Sequence, residues 1–400
     1  MTNRQLFLRH LAQTSPAPMA LEFSKAEGVY LFDAGGKAYL DFISGFSVMN
    51  LGHGQPEVLA AIEKQIHQYM HVMVYGEVIQ SPQVQYAALL ASHLPDTLDM
   101  VYFTSSGAEA TEGAMKLAKR LTRRPKILAF KNAYHGSTQG ALSILGDEYF
   151  RNAFRPLLPE IYHLRYNSDA ALEAIDEHTA CVVVEMVQAE AGAVVARFEW
   201  LQKLRTACNQ KGVMLIADEI QTGFGRTGTL WAFEASGIVP DILLLGKALG
   251  GGMPLGAFIS SRERMLKLTG DPVLGHITTF GGHPVSCAAG MASFQKLLSL
   301  GNGHLFMQAR WFEKLAREIL EDIPAVKSVS GKGKLLAVEL RDAETCLEAC
   351  HAIIDAGILV DWFLFAPQSL RFAPPIVLDK ATATVALQNI RGILEKLPAA

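Results

Sequence analysis

Short apolar runs alternate with longer segments of helical periodicity through the middle of this chain, and few folds accept that alternation. The runs are Met100-Val101-Tyr102-Phe103, Ile127-Leu128-Ala129-Phe130, Cys181-Val182-Val183-Val184, Val213 to Ala217 and Ile242 to Leu245. Between them lie helix-like stretches such as Glu109 to Leu121 and Trp200 to Lys211. The pattern predicts an α/β fold: a mostly parallel sheet of buried strands, covered by helices on both faces. Near Leu300 the grammar changes. A helical stretch around Met307 to Asp322 precedes Val326 to Val329, Lys334 to Leu340, another helix and the run Ser369 to Phe372. That order suits a smaller α+β domain. At the other end, Gly28 to Phe32, the turn Asp33-Ala34-Gly35-Gly36 and Ala38 to Phe42 read as a hairpin. The hairpin packs most simply with the C-terminal part. The expected division is therefore a small α+β domain from both termini, residues 1–50 and 295–400, and a large domain over 51–294.

A length of 400 residues accommodates two such units. Half of the residues are hydrophobic and 19% are charged, as in an ordinary soluble enzyme. The net charge of −3, from 36 basic and 39 acidic residues, gives no sign of a nucleic-acid or anionic-membrane surface. The N-terminus has no apolar run of signal-peptide type, and no apolar stretch is long enough to span a bilayer. The five cysteines are odd in number and show no CxxC spacing; Cys346 and Cys350, four apart in a helical pattern, read as packing rather than metal ligation. Reduced thiols in a cytoplasmic protein, with no bound metal, are the expectation.

Chemistry enters where the strands end. Val213 to Ala217 delivers Asp218-Glu219 at its carboxyl end, and Ile242 to Leu245 delivers Gly246-Lys247 ahead of Ala248-Leu249-Gly250-Gly251-Gly252. A buried ammonium is costly without a partner or a lowered pKa. A lysine and an acid leaving neighbouring strands suit a cofactor whose aldehyde is held covalently and whose ring nitrogen is kept protonated, such as pyridoxal 5′-phosphate (PLP). The bland readings are a helix-capping aspartate and a surface lysine. Thr104-Ser105-Ser106-Gly107-Ala108-Glu109-Ala110 follows a strand and opens a helix, so its N–H groups either cradle a phosphate or belong to an ordinary capping box. Tyr134-His135-Gly136 follows another strand: it stacks on a planar ring, or it is just a loop.

Gly223-Phe224-Gly225-Arg226-Thr227-Gly228 matches G-x-G-x-x-G, but a dinucleotide site puts the first glycine directly at the strand end with a helix starting inside the motif. Here Asp218 to Thr222 intervene and an acid would repel pyrophosphate, so the dinucleotide reading is rejected. Gly246-Lys247 lacks the earlier glycine and the following Ser/Thr of a phosphate-binding P-loop. All the retained motifs fall at carboxyl ends of strands, where open α/β sheets bind ligands.

Together these residues resemble the class III aminotransferases, PLP enzymes of fold type I that act mainly on ω-amino groups. The resemblance covers nearly the whole chain. It includes Asn50-Leu51-Gly52-His53, Ser106 to Ala110, Tyr134-His135-Gly136, Glu185-Met186-Val187-Gln188-Ala189-Glu190, Asp218 to Gly228, Gly246 to Gly252, Thr278-Thr279-Phe280-Gly281-Gly282 and Arg371-Phe372-Ala373-Pro374-Pro375. It implies that Lys247 forms the internal Schiff base and then shuttles the proton between substrate carbon and cofactor, while Asp218 keeps the pyridine nitrogen protonated. Gln221 would hydrogen-bond the phenolic oxygen, and Tyr134 would stack on the ring. Gly107 and Ala108 would present N–H groups to the phosphate, with Ser106, His135 and Glu185 also at the cofactor. Thr279 would reach the phosphate of the neighbouring subunit, making a homodimer the minimal unit. Arg371 resembles the carboxylate-binding arginine, and Glu190 its reversible partner.

The departures bear on the substrate. Ala108 stands where the family often has Thr, which removes a hydroxyl from the phosphate cup. Ser137 stands where many members carry an arginine that holds a substrate carboxylate, and Phe46 matches a substrate-gripping tyrosine of the ornithine-type members. Putrescine transaminases also lack that arginine and carry a similar Thr-Thr-Phe-Gly-Gly run. The expectation is therefore transamination from a diamine or other ω-amine to a 2-oxo acid such as 2-oxoglutarate. An acetylornithine, ornithine or 4-aminobutyrate type enzyme is the alternative. An aminomutase, a decarboxylase or a catalytically silent PLP-binding protein stands further off.

Overall fold

The computed structural model describes residues 1–73 and 76–400. A seven-stranded sheet forms its centre, in the spatial order Met100–Thr104, Gly256–Ser260, Ile242–Leu245, Met214–Asp218, Thr179–Glu185, Lys126–Phe130 and Ile161–Leu164. The strands run parallel except Gly256–Ser260, which pairs antiparallel with both its neighbours. All five apolar runs read from the sequence are strands of this sheet. Every residue of Thr179–Glu185 and of Ile242–Leu245 is buried, as befits strands covered on both faces. The helices Gly107–Thr122 and Phe198–Lys211 form where helical periodicity was read.

A second apolar core joins the chain's two ends. Tyr39, Leu40 and Phe42 of the N-terminal hairpin pack with Phe312, Val338, Ile353 and Phe372. The short strand Ile358–Leu359 adds parallel to Ala38–Asp41. A separate sheet orders Val326–Lys332, Leu335–Leu340, Ser369–Phe372 and Asp361–Trp362. The division at 1–50 with 295–400 and 51–294 remains our proposal. Its second boundary lies inside the helix Pro284–Leu300, whose Phe294 and Leu297 pack in the larger core. No helix among the described residues is long and apolar enough to cross a membrane.

The glycine-rich loop after Asp218 is fastened to the C-terminal part by a cation. Arg226 is fully buried, and none of its hydrogen bonds goes to a carboxylate. Its Nη1 donates to the carbonyls of Lys334 (3.1 Å) and Pro374, and its Nη2 to Asn50 Oδ1 and Ser44 Oγ. Lys334, equally buried, donates to the carbonyls of Ile376 at 2.9 Å and Leu378 at 3.0 Å, with the Trp311 ring centroid 4.8 Å from its Nζ. Burial, with Arg226 nearby, pushes the Lys334 amine down to about 7. Arg226→Ala leaves several buried acceptors unmatched, each worth about 1–3 kcal/mol, so stability should fall by about 3 kcal/mol or more. A urea unfolding midpoint close to the parent's would show that Arg226 does not carry this load.

Candidate active site

Parallel pairing sets Asp218 beside Glu185 on one side and Leu244 on the other, all at carboxyl ends of strands. Two carboxyls in adjacent positions cannot both be charged cheaply in a dry site. The site resolves this with His135. Its Nδ1 lies 2.6 Å from Asp218 Oδ2, and both side chains are buried. Burial alone would lower the imidazole, but the hydrogen bond and charge of Asp218, helped by Glu185, outweigh it and raise it. Glu185 accepts from the N–H groups of Tyr134 and Ala189, each at 3.2 Å. Burial and the charge of Asp218 nevertheless push its carboxyl up to about 8.

Lys247 follows Gly246 out of its strand with φ 48, a left-handed conformation that a residue with a Cβ adopts only under constraint. Its Nζ donates to Gln221 Oε1 at 2.6 Å. Burial lowers the amine's pKa, against the opposing charge of Glu190. Lowering an amine's pKa favours the unprotonated form that attacks an aldehyde. One cavity of about 250 Å³ brings Lys247 and Gln221 together with Asp218, His135, Glu185, Glu190, Tyr134, Ser137, Gly107 and Ala108. Within it Gln221 Nε2, His135 Nε2 and Thr222 Oγ1 are buried polar atoms with no protein partner.

The cavity's edge explains its glycines. Gly107 opens the helix Gly107–Thr122, whose first-turn N–H groups have no acceptor inside the helix. A Cβ there would meet Ile220 Cδ1 at 2.7 Å. At Gly136, φ 130, a Cβ would come within 2.6 Å of the Ala108 Cβ. Ser106 itself caps the helix, accepting from Glu109 N at 3.2 Å, so its side chain serves the capping reading. These groups fit PLP. Lys247 suits its aldehyde and Asp218 its ring nitrogen. The unpartnered Gln221 Nε2 suits its phenolic oxygen, and the helix N-terminus its phosphate.

Glu190 lines the cavity, and Arg371 stands behind it. The two form a bidentate pair, Nη1 to Oε1 and Nη2 to Oε2, each 2.8 Å. Arg371 is buried, donates also to the carbonyl of Trp362 at 3.1 Å, and lies 4.5 and 4.9 Å from the ring centroids of Phe363 and Phe46. Phe46 rides on an unusual turn: Ser44, Gly45, Phe46 and Ser47 all have left-handed φ, of 48, 56, 62 and 65°. Asp41 Oδ1 anchors the turn by accepting from Ile43 N and Ser44 N, and Ser44 Oγ donates to the carbonyl of Ala373. Ser137 is exposed, its hydroxyl 3.1 Å from that of Tyr134. Thr279 does not join this cavity. It lies exposed between Ile277 and Phe280, which are 51% and 56% exposed.

Sequence reasoning placed His135 at the site without its bond to Asp218, and it missed Asp361 and Phe363 beside Arg371. The His135–Asp218 bond spans 83 positions, and Asp361 meets Arg371 through the pairing of two short strands, which no local pattern announces.

The Aminotransferase class-III family matches residues 12–394. The acetylornithine aminotransferase of Gloeobacter violaceus is 34% identical over 100% of this chain and 99% of its own length. That of Methanopyrus kandleri is 38% identical, covering 96% of each. The solved ornithine aminotransferase of Toxoplasma gondii, described with partial occupancy of PLP at its active site, superposes with a TM-score of 0.88 at 29% identity, over 98% of this chain and 93% of that one.

Borohydride treatment of the protein incubated with PLP should fix the cofactor to a single peptide, the one containing Lys247. Lys247→Ala should lose the label and keep its fold by circular dichroism. Label on another lysine, read by mass spectrometry, would remove Lys247 from the carbonyl site.

Proposed function

The chain belongs to the class III aminotransferases and depends on PLP, and within that family we propose that it moves the terminal amino group of an ω-amino donor to a 2-oxo acid such as 2-oxoglutarate, in two half-reactions. The observation that carries this reading is the Glu190–Arg371 pair. With Glu190 in place, both Nη groups of Arg371 are taken and the cavity accepts a donor that brings no carboxylate there. With Glu190 turned aside, Arg371 offers two parallel donors to the carboxylate of a 2-oxo acid. One pocket thereby serves two substrates of different charge.

The remaining residues take the roles their geometry supports. Bound PLP supplies an electron sink for the carbon that loses its proton. Lys247, held at a strained turn with its amine pKa lowered by burial, would bind the aldehyde and carry the proton to and from that carbon. Asp218, oriented by His135, would hold the proton on the ring nitrogen. Tyr134 would cover the ring, and the N–H groups of Gly107 and Ala108 would hold the phosphate. The exposed Thr279, beside two exposed apolar side chains, supports a homodimer in which each chain completes its partner's phosphate site. Five free, buried cysteines support a reducing cytoplasmic setting.

For the donor, the relatives and the departures pull apart. Relatives 34% and 38% identical, described as acetylornithine aminotransferases, favour an acetylornithine-type donor. A diamine is the second reading, favoured by Ser137 and Phe46, neither of which offers a charge to a donor carboxylate. N-acetylornithine, ornithine and putrescine, each tried with 2-oxoglutarate and with pyruvate, separate the two. Turnover of putrescine alone among them would exclude the acetylornithine reading, and turnover of N-acetylornithine alone would exclude the diamine.

Arg371→Ala should weaken acceptor binding by about 2–5 kcal/mol, the range for truncating one partner of a buried charge pair, and spare the amine half-reaction. Glu190→Gln should do the reverse. Single-turnover absorbance traces of each half decide it; equal slowing of both halves by Arg371→Ala would make Arg371 structural. In mixed dimers of Thr279→Ala with Lys247→Ala chains, the Lys247-bearing site receives an intact Thr279 only if that residue acts across the interface. Normal PLP retention there is expected, and a defect would assign Thr279 to its own chain.

A further inference from the structure

Arg371 has a second carboxylate that the switch does not use. Asp361 lies directly opposite Arg371 in the antiparallel pairing of Asp361–Trp362 with Ser369–Phe372, so the two side chains share one face of the sheet. Its Oδ1 is 3.2 Å from Arg371 Nε, the guanidinium nitrogen left over when Glu190 takes both Nη groups. Neither Nε nor Oδ1 completes an aligned hydrogen bond, although both are buried, so the contact is chiefly one of charge.

The groups facing Asp361 come from several elements. Arg371 favours its charge, while Glu190 and Asp41 oppose it. The thiols of Cys346 and Cys350, on the helix Ala343–Asp355, are themselves pushed up to about 12 by burial and stay neutral. Burial and this balance push the Asp361 carboxyl up to about 7.

Counting charges shows what the arrangement does. At rest one guanidinium faces two carboxylates, Glu190 and Asp361. When a dicarboxylic 2-oxo acid takes the Nη groups, Glu190 is displaced but stays tethered nearby, and three carboxylates crowd one cation. A donor amine leaves Glu190 in place and adds none. We propose that Asp361 is a positioning residue for the acceptor half-reaction, holding the guanidinium by its Nε edge and taking up a proton as the dicarboxylate displaces Glu190. The proposal rests on the Glu190–Arg371 reading above. An arriving anion raises the proton affinity of Asp361, so acceptor binding is strongest at low pH. It weakens as pH rises through about 7, by at most about tenfold per unit.

The test is calorimetric titration of the PLP-loaded protein with glutarate, an unreactive dicarboxylate, in two buffers of different ionisation enthalpy, from about one pH unit below to one above that value. The parent should take up part of a proton on binding and lose affinity as pH rises. Asp361→Asn, nearly isosteric, should bind glutarate with a flat profile and no uptake from this site. Parent binding without uptake overturns the proposal and needs no variant to fold, as does a parental slope in Asp361→Asn. Arg371→Ala separates the layers. Parental glutarate binding in that variant sinks the Glu190–Arg371 reading and this proposal with it. If Arg371→Ala loses glutarate while Asp361→Asn keeps the parental slope, the reading stands and the proposal alone falls.

Discussion

A buried guanidinium hydrogen-bonded to carbonyl, amide and hydroxyl oxygens rather than to a carboxylate sets the relation between the two halves of the site. Arg226 lies four residues beyond Thr222, on the loop that carries Gln221 past the cofactor cavity, and its donors close on Lys334, Pro374, Asn50 and Ser44. Pro374 is three residues from Arg371, and Ser44 is two from Phe46. One side chain therefore ties the loop of Gln221 to the segments that carry Arg371 and Phe46. Carbonyl oxygens are weak partners for a full charge, and burial pulls this guanidinium down to about 9. They are, however, fixed by the backbone. An ion pair at this spot would have a mobile half; a cage of carbonyls holds two parts of the chain in register.

Different rules govern the charges around the cavity. Asp218, His135 and Glu185 form a closed set in which an imidazole hydrogen-bonds one carboxylate while burial and that carboxylate's charge push the other carboxyl up. Arg371 belongs to an open set, with one nitrogen edge committed to Asp361 and the other lent to Glu190. Burial makes both sets exacting, since every charge that shifts must be answered within a few ångströms. The closed set suits a cofactor that stays. The open one suits substrates that come and go.

The large sheet was legible because strands such as Thr179–Glu185 are buried on both faces and read as unbroken apolar runs. Ile161–Leu164 sits at the sheet's edge with no fully buried residue, and Gly256–Ser260 opens on Gly-Ala, so neither gives such a run. In the site, Lys247, Asp218 and the helix at Gly107 announce themselves because each sits at the end of an element. The bond of His135 to Asp218 spans 83 positions and depends on strand order. Asp361 depends on the pairing of two short strands in the other sheet, which no periodicity dictates. The diamine expectation rests on absent handles at Ser137 and Phe46 and on a Thr-Thr-Phe-Gly-Gly run at Thr278 to Gly282 outside the cavity, and absent groups tell which contacts are not made, not which substrate is bound.

The left-handed turn at Ser44 to Ser47 reverses an ordinary rule of protein adaptation. Elsewhere, replacing glycine in loops tends to stabilise, because it narrows the unfolded ensemble. Here three residues bearing a Cβ are held in mirror-image backbone, at roughly 1–2 kcal/mol each. Descendants of this chain drifting towards heat resistance would gain glycines along this stretch rather than lose them. The ring of Phe46 against Arg371 is what such drift would put at risk. At that turn, robustness and recognition are set against each other.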